Sequence, residues 1–218
     1  MGQMTELQSA TPIGAYLAEP AGMPRGGVVV IQEIFGVNAH IREVTDRVAA
    51  AGYTAIAPAL FDSVKPGVEL GYDADGMREG VTLKALVSFD RAVQDVAAAA
   101  KRVAGAGKVG TIGFCWGGSV AYAAAIELGL PGASYYGGSN TQLIGKPARA
   151  PLIFHYGLKD AHITAADRAA VAAANPDAPL YEYEADHGFN CDRRDSFHAP
   201  SAAMAWRRTL AFLGEHVG

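Results

Sequence analysis

The sequence has little of what marks secreted, membrane or nucleic-acid-binding proteins. It contains only two cysteines in 218 residues, Cys115 and Cys191, which is too few for a disulfide framework. Its 18 lysines and arginines form no run or stripe, which argues against nucleic acid as a partner. No apolar stretch approaches the roughly 20 residues of a membrane helix. The first residues, MGQMTELQSATPIG, lack the basic start and apolar run of a signal peptide. We therefore expect a cytoplasmic protein that binds neither nucleic acid nor membrane.

What the sequence does contain is the composition of an ordinary globular protein. Half of the residues are hydrophobic, 18% are charged, and the net charge is −4. The length suits one domain spanning residues 1–218. Neither feature distinguishes a monomer from a small homo-oligomer.

Predicted strands and helices alternate along the chain. Val28–Ile31 is a continuous β-branched run, typical of a strand buried on both faces of a parallel sheet. Asn38 is placed to cap the helix that follows it. Residues 14–19 are expected to form an edge strand, and residues 61–80, rich in Gly, Asp and Pro, a loop. Further strands are predicted at 53–57, 108–114, 133–136, 152–156 and 180–184, and further helices at 118–128, 164–174 and 199–217. This alternation predicts an α/β fold, a mostly parallel sheet covered by helices on both faces.

The most informative stretch is Gly113-Phe114-Cys115-Trp116-Gly117-Gly118. Its core, G-x-C-x-G, stands between a predicted strand and a predicted helix, which is the setting of a nucleophile elbow. Glycines two positions before and after the centre permit the sharp turn. The adjacent helix N-terminus favours a thiolate. We interpret Cys115 as a nucleophile; the alternative is a small, inert cysteine in a glycine-rich turn.

An acid and a base follow the nucleophile in the order that this kind of fold requires. Asp160 comes just after the predicted strand at 152–156, and His187 just after the last strand. Both should lie at the edge where strand ends gather. Asp186 is the rival acid and His198 the rival base, but an adjacent acid cannot easily orient its neighbour's ring. The remaining histidines are assigned by position: His40 and His216 to helix surfaces, His155 to the core and His162 to the pocket.

Four motifs together resemble the dienelactone hydrolase family: QEIFGVN at 32–38, GFCWGG at 113–118, GLKD at 157–160 and HGF at 187–189. The resemblance covers most of the chain. It implies an α/β-hydrolase fold without a large lid. A cysteine mechanism needs no metal or organic cofactor, and no His/Cys cluster in the sequence has the spacing of a zinc site. It also implies that Glu33 lies beside Cys115 and takes part in forming the thiolate. The backbone amides of Ile34 and Trp116 would form the oxyanion hole.

The resemblance is less complete at the positions that bind substrate in the family. Family members bind an anionic substrate through arginines, and Arg78 falls near the expected position of one of them. The second arginine would stand four residues after His187, where this chain has Cys191, followed by Arg193 and Arg194. We expect Phe35, Arg78 and Cys191 to contact substrate. The departure at Cys191 leaves the identity of the substrate open, and it leaves open whether Cys191 can pair with Cys115.

The sequence thus predicts a hydrolase that opens a dienelactone or similar enol lactone or ester, anionic or not, through a Cys115 thioester. A thiolate leaves a tetrahedral intermediate readily, which favours lactones and activated esters over amides. The first alternative is a general carboxylesterase of the same fold. A non-catalytic binding protein would not need an elbow, an acid and a histidine together. A thiol redox protein would have to rely on pairing between Cys115 and Cys191, because no C-x-x-C motif is present.

Overall fold

The computed structural model describes residues 1–218 and is built on a single eight-stranded sheet. The strands are β1 (Gln3–Leu7), β2 (Ile13–Ala18), β3 (Gly27–Ile31), β4 (Thr54–Pro58), β5 (Val109–Phe114), β6 (Gly132–Tyr135), β7 (Leu152–Gly157) and β8 (Leu180–Tyr183). Their order across the sheet is β1-β2-β4-β3-β5-β6-β7-β8. β2 is antiparallel to both of its neighbours, and every other pair is parallel.

Six α-helices connect or cover the strands. They are α1 (Ala39–Ala50), α2 (Ala74–Leu86), α3 (Phe89–Val103), α4 (Trp116–Glu127), α5 (Ala165–Ala174) and α6 (Ala199–His216). None of them combines the length and the apolar composition that crossing a bilayer requires.

The apolar run of β3 shows why the sheet is covered on both faces. Val28 and Val30 pack in the core cluster that also contains residues of α1 and α6. Val29 and Ile31 pack in a second cluster with residues of α3 and α4. Successive side chains of a strand point to opposite faces, so a continuous apolar strand needs a helical layer on each side. The predicted α/β architecture is confirmed.

Local signals explain where two helices begin. The side chain of Asn38 accepts a hydrogen bond from the amide of Ile41 (3.3 Å) and caps α1, as predicted. Asp73 caps α2 in the same way through the amide of Gly76 (2.8 Å). The prediction that residues 61–80 form a loop is therefore wrong in its second part, because α2 begins at Ala74.

Two other expectations need correction. The strand predicted at 14–19 is not at the edge, because β1, which we did not predict, pairs outside it. His40 was expected on a helix surface but is only 2% exposed. It lies on the inner side of α1, with its ring edge toward Phe114. It precedes the buried Ile41, and the buried face of α1 is wide enough to include both residues.

The carboxyl ends of the parallel strands gather several polar side chains. Glu33 follows β3, Cys115 follows β5, Asp160 follows β7 and His187 follows β8. In open parallel sheets this edge is where ligands bind. The topology therefore places residues from four distant parts of the chain around one crevice.

Candidate active site

Cys115 lies at the turn between β5 and α4, where the backbone is strained. Its φ of 54° and ψ of −119° are rarely adopted by a residue with a side chain. Tyr136 is the only other non-glycine residue with a positive φ. Such strain persists only where the surrounding structure imposes it, and it is concentrated at functional sites. The conformation is that of a nucleophile elbow.

The glycines on either side of Cys115 are required by close backbone contacts. A Cβ on Gly113 would lie 1.9 Å from the carbonyl oxygen of Gly117. A Cβ on Gly117 would lie 2.4 Å from the carbonyl oxygen of Gln32, at the end of β3. Both neighbours are backbone atoms and cannot rotate away. The G-x-C-x-G pattern therefore records how tightly the elbow packs against itself and against β3.

The elbow places the Cys115 thiol at the N-terminus of α4, half-buried and unpaired with the other cysteine. The amide of Gly118 donates to the carbonyl of Cys115 (3.0 Å), so the first helical turn starts at once. The positive end of the helix dipole favours an anion at this position. The thiol thus stands where a thiolate is stabilised.

Asp160 and His187 form a close, largely buried pair. Oδ2 of Asp160 lies 2.7 Å from Nδ1 of His187, and Oδ1 accepts the backbone N–H of His162 at 2.8 Å. Burial lowers the pKa of His187, but the charge of a Cys115 thiolate and hydrogen bonds to Asp160 and Cys115 raise it to about 10 overall. The ring therefore has Asp160 on one side and Cys115 on the other.

Asp186 and His198, the alternative acid and base, contact other groups. Asp186 accepts the backbone N–H of His187 (2.6 Å), not a ring nitrogen. Nδ1 of His198 lies 2.7 Å from the hydroxyl of Ser201, at the start of α6. Asp160 is therefore the acid that contacts the His187 ring.

The other histidines have separate roles. His155 is fully buried with both ring nitrogens hydrogen-bonded, as predicted for a core residue. His162 lies beside His187, with ring centroids 5.5 Å apart. His216 is partly exposed at the end of α6.

Glu33 is fully buried rather than solvated at a loop. Its Oε2 accepts a hydrogen bond from the hydroxyl of Tyr72 at 3.0 Å. Its Oε1 lies 3.5 Å from Nη1 of Arg194, whose side chain is 18% exposed. A buried carboxylate is costly unless it is paired, so these two contacts account for its presence.

One cavity, of about 270 Å³, joins the elbow to the acid–base pair. On the side of α2 its wall is apolar except for Lys84, and elsewhere it carries four cationic or titratable groups. The lining residues are Ile34, Phe35, Met77, Val81, Lys84, Cys115, Trp116, Gly138, Ser139, His162, His187 and Arg194.

Two backbone amides in this cavity have no competing partner. Ile34 lies outside the regular elements, and its N–H makes no hydrogen bond to another protein group. Trp116 is the first residue of α4, where amides lack intrahelical acceptors. Both residues line the cavity that contains Cys115, so two free donors border it.

A larger cavity, of about 710 Å³, lies elsewhere, near the start of β7 and the end of α6. Its wall contains neither cysteine, and it contains none of Glu33, Asp160 and His187. Size favours this cavity, but chemistry favours the smaller one, because of the two only the smaller one contains a cysteine beside a histidine–aspartate pair.

The three residues expected to contact substrate differ in placement. Phe35 lines the cavity. Arg78 does not, because its side chain projects from α2 into solvent, is 74% exposed and pairs with Asp75. Cys191 is fully buried and also outside the lining. Burial and the nearby charge of Glu33 raise the pKa of the Cys191 thiol to about 12.

Several site residues were not assigned from the sequence. No local motif marks Arg194, Lys84 or Tyr72. Arg194 does stand just beyond Cys191, the position at which this chain lacks the arginine of the family. The neighbouring Arg193 turns away and pairs with Glu43. Tyr136 lies beside His187, with ring centroids 5.0 Å apart, and its positive φ is a signal that only the structure reveals.

Comparisons with known proteins show which family the chain belongs to. The model of the dienelactone hydrolase family matches residues 13–217. The carboxymethylenebutenolidase of Pseudomonas putida is 34% identical over 212 residues, 92% of this chain and 90% of that protein. A Synechocystis protein provisionally given the same name is 38% identical over 218 residues, 90% of this chain and 89% of that one.

Solved structures show the same fold. A Klebsiella pneumoniae protein, provisionally named a dienelactone hydrolase, has a TM-score of 0.86 and 32% identity, with 99% of each chain covered. The dienelactone hydrolase-like phosphotriesterase P91 from metagenomic libraries has a TM-score of 0.83 over 100% of this chain and 99% of that chain, but only 20% identity. The predicted α/β-hydrolase fold is confirmed, and the chain belongs to the dienelactone hydrolase family.

Proposed function

We propose that this chain hydrolyses a small lactone or ester of a carboxylic acid through a thioester at Cys115. The observation that supports this most is the arrangement of the cavity wall. A strained, half-buried cysteine at a helix N-terminus faces a histidine whose other side is held by a buried aspartate. Two free amides lie in the same wall. This is the set of groups that acyl transfer needs.

The reaction would proceed in two halves. The Cys115 thiolate attacks the carbonyl carbon, and the amides of Ile34 and Trp116 stabilise the oxyanion. The C–O bond then breaks, and His187 gives its proton to the leaving alkoxide or enolate. In the second half His187 takes a proton from water, the hydroxide attacks the thioester, and the Cys115 thiolate departs. Asp160 keeps the ring oriented and stabilises its cation throughout.

Glu33 is proposed to assist in forming the thiolate. Its carboxylate is held by Tyr72 and Arg194 in a site from which water is excluded. Substrate that contacts Arg194 would compete for this ion pair and change the charge near the cysteine. Such a link would couple binding to activation of the thiol.

The wall of the cavity supports a small anionic substrate. Its volume of about 270 Å³ is at the lower end for ligand sites, which suits a single ring with short substituents. Arg194 and Lys84 supply positive charge, and Phe35, Met77 and Val81 supply an apolar surface. The names of the Pseudomonas and Synechocystis relatives point to the same substrate class, an enol lactone that bears a carboxylate.

The second candidate is a general carboxylesterase with the same mechanism. One observation favours it: neither Arg78 nor Cys191, the two positions where carboxylate contacts were expected, lines the cavity. Arg194 would then serve mainly to neutralise Glu33.

The decisive experiment compares a dienelactone with p-nitrophenyl acetate, for the wild type and for Cys115→Ala. We expect hydrolysis of the lactone by the wild type and loss of at least about a thousandfold in kcat for the variant, because removing a triad member leaves only residual catalysis. Hydrolysis of the ester alone would favour the general carboxylesterase. Equal rates for the two proteins would remove Cys115 from the reaction and refute the mechanism.

A further inference from the structure

A second group of chemically active side chains lies beside Glu33. Glu33, His40 and Cys191 come from three separate segments and are all buried. One ligand atom from each, a carboxylate oxygen, an imidazole nitrogen and a thiol sulfur, lies within 4.8 Å of the other two. All three are residue types that bind metal ions, but their spacing along the chain gives no hint of this cluster.

The state of His40 indicates that the cluster is arranged for a ligand. Nδ1 of His40 lies 3.5 Å from a carboxylate oxygen of Asp192, but Nε2 is buried and has no hydrogen-bond partner. An unpaired polar atom in a protein interior is costly and calls for an explanation. A carboxylate at one ring nitrogen, with the other nitrogen left free, is the arrangement found around metal-bound histidines.

Cys191 is not suited to be a second nucleophile. It is fully buried, its backbone has no positive φ, and it does not line the cavity that contains Cys115. A substrate carbonyl in that cavity could not reach it. Asp192 contacts His40 and has a side chain that is 55% exposed, so the cluster borders on solvent at this point.

We propose that Glu33, His40 and Cys191 form a binding site for a divalent transition-metal ion, with Zn²⁺ as the best match. Carboxylate oxygen, imidazole nitrogen and thiolate sulfur are its usual protein ligands, and sites with three of them keep a fourth position for water. Metal–ligand bonds of about 2.0–2.3 Å require the three atoms to approach one another by about 1 Å. Side-chain rotation suffices for a movement of this size.

Binding has a defined chemical balance. The ion forms a bond to the Cys191 sulfur, and the thiol proton leaves to solvent. The Glu33 carboxylate turns toward the ion, which weakens its contacts with Tyr72 and Arg194. If Glu33 assists catalysis as proposed above, the bound ion inhibits hydrolysis. This consequence rests on the proposed function, but the binding site itself does not.

Co²⁺ is a suitable probe because its absorption reports thiolate ligation without any assay of activity. We expect the wild type to bind a single Co²⁺ per chain with a thiolate-to-cobalt band in the near ultraviolet, and Zn²⁺ to abolish the band by competition. Cys191→Ser should lose the band, and His40→Gln should bind at least about tenfold more weakly. Cys115→Ser, the matched cysteine control, should keep the band.

Cys191→Ser and His40→Gln change buried residues and could disturb folding. Asp192→Asn tests the same site at an exposed residue, where folding should be unaffected. It should weaken Co²⁺ binding by about tenfold or more, as expected when the group that orients a metal-bound histidine is changed. The exposed Asp195→Asn should have no effect. A band that survives in Cys191→Ser but is lost in Cys115→Ser would assign the metal to the nucleophile and overturn the proposal. Absence of any band in the folded wild type would also overturn it, whatever the outcome for hydrolysis.

Discussion

At the scale of single residues, two carboxylates contact different parts of His187. Asp160 accepts from the ring of His187, whereas Asp186 accepts only from its backbone N–H. Sequence position alone would not separate them, since both stand close to strand ends. The distinction matters because an acid can select the imidazole tautomer only if it contacts the ring.

A matched pair of substitutions tests this difference. Asp160→Asn should lower kcat by about 10²–10⁴-fold, because the amide can stabilise the wrong tautomer of His187 and cannot stabilise its cation. Asp186→Asn should lower kcat by less than about tenfold. Steady-state kinetics with one ester substrate would measure both. Equal losses would mean that Asp160 does not orient the catalytic ring.

A second residue-level contrast concerns Arg194 and Arg78. Arg194 lines the cavity and contacts Glu33, whereas Arg78 is exposed and pairs with Asp75. If Arg194 recognises a carboxylate, Arg194→Met should lower kcat/KM for a carboxylate-bearing ester relative to a neutral ester by about 10–100-fold, the effect of losing one charge-assisted hydrogen bond. Arg78→Met should leave this ratio unchanged. A ratio unaffected by Arg194→Met would favour the general carboxylesterase.

At the scale of elements, the elbow joins β5, α4 and the end of β3. Gly113 and Gly117 permit this junction because their missing side chains let backbone atoms meet directly. The backbone at Cys115 remains strained, and packing on both sides holds it in place. Cys115 is thus positioned by contacts among three elements and not by the turn alone.

Substitution at the elbow should show this dependence. Gly117→Ala gains about 1 kcal/mol in helix propensity, but its Cβ would meet the Gln32 carbonyl at 2.4 Å. We expect the steric clash to outweigh the gain in helix propensity, with a net loss of about 1–3 kcal/mol in the free energy of unfolding, as for other overpacked sites. Gly105→Ala, whose Cβ would meet nothing within 4 Å, should change it by less than about 0.5 kcal/mol. Denaturant unfolding measures both, and similar values would contradict the steric argument.

At the scale of the whole molecule, a buried polar network ties the last strands to the C-terminal helix. His155 of β7 bonds to the hydroxyl of Tyr183 in β8 (2.9 Å) and to that of Thr209 in α6 (3.0 Å). Thr209 also bonds to the hydroxyl of Tyr135 in β6 (2.7 Å). Burial, together with the charge of Arg208, lowers the pKa of His155 to about 3.

This network predicts how stability depends on pH. His155 takes up a proton near pH 6.5 when unfolded but only near pH 3 when folded. Between these two pH values the folded state binds fewer protons than the unfolded state. The contribution of neutral His155 to the free energy of unfolding is therefore complete above pH 6.5 and is lost as the pH falls toward 3. The free energy of unfolding of His155→Gln should decline less steeply over this interval than that of the wild type. Thr209→Val, which keeps the imidazole, should be less stable but retain the steep decline; equal slopes for all three proteins would refute the assignment.

The sequence alone determined the α/β class and the sharp turn at Cys115. These are local properties. Apolar runs, glycines two positions from a cysteine and caps such as Asn38 act within a few residues of the chain. Errors arose where a local signal was weak, as at the start of α2, or where another segment decided the outcome, as when β1 covered the edge of β2.

Only the tertiary structure decided which side chains surround the site. Arg194 and not Arg78 reaches the cavity, and His40 lies buried beside Glu33 and Cys191 rather than on a helix surface. Cys191 is more than 150 residues from Glu33 and His40 in the chain, and its contact with them depends on how β3, α1 and the segment after β8 pack together. A sequence pattern describes each segment's own preferences. Which groups share a buried environment depends on long-range packing, and that packing determines charge pairing and access to substrate.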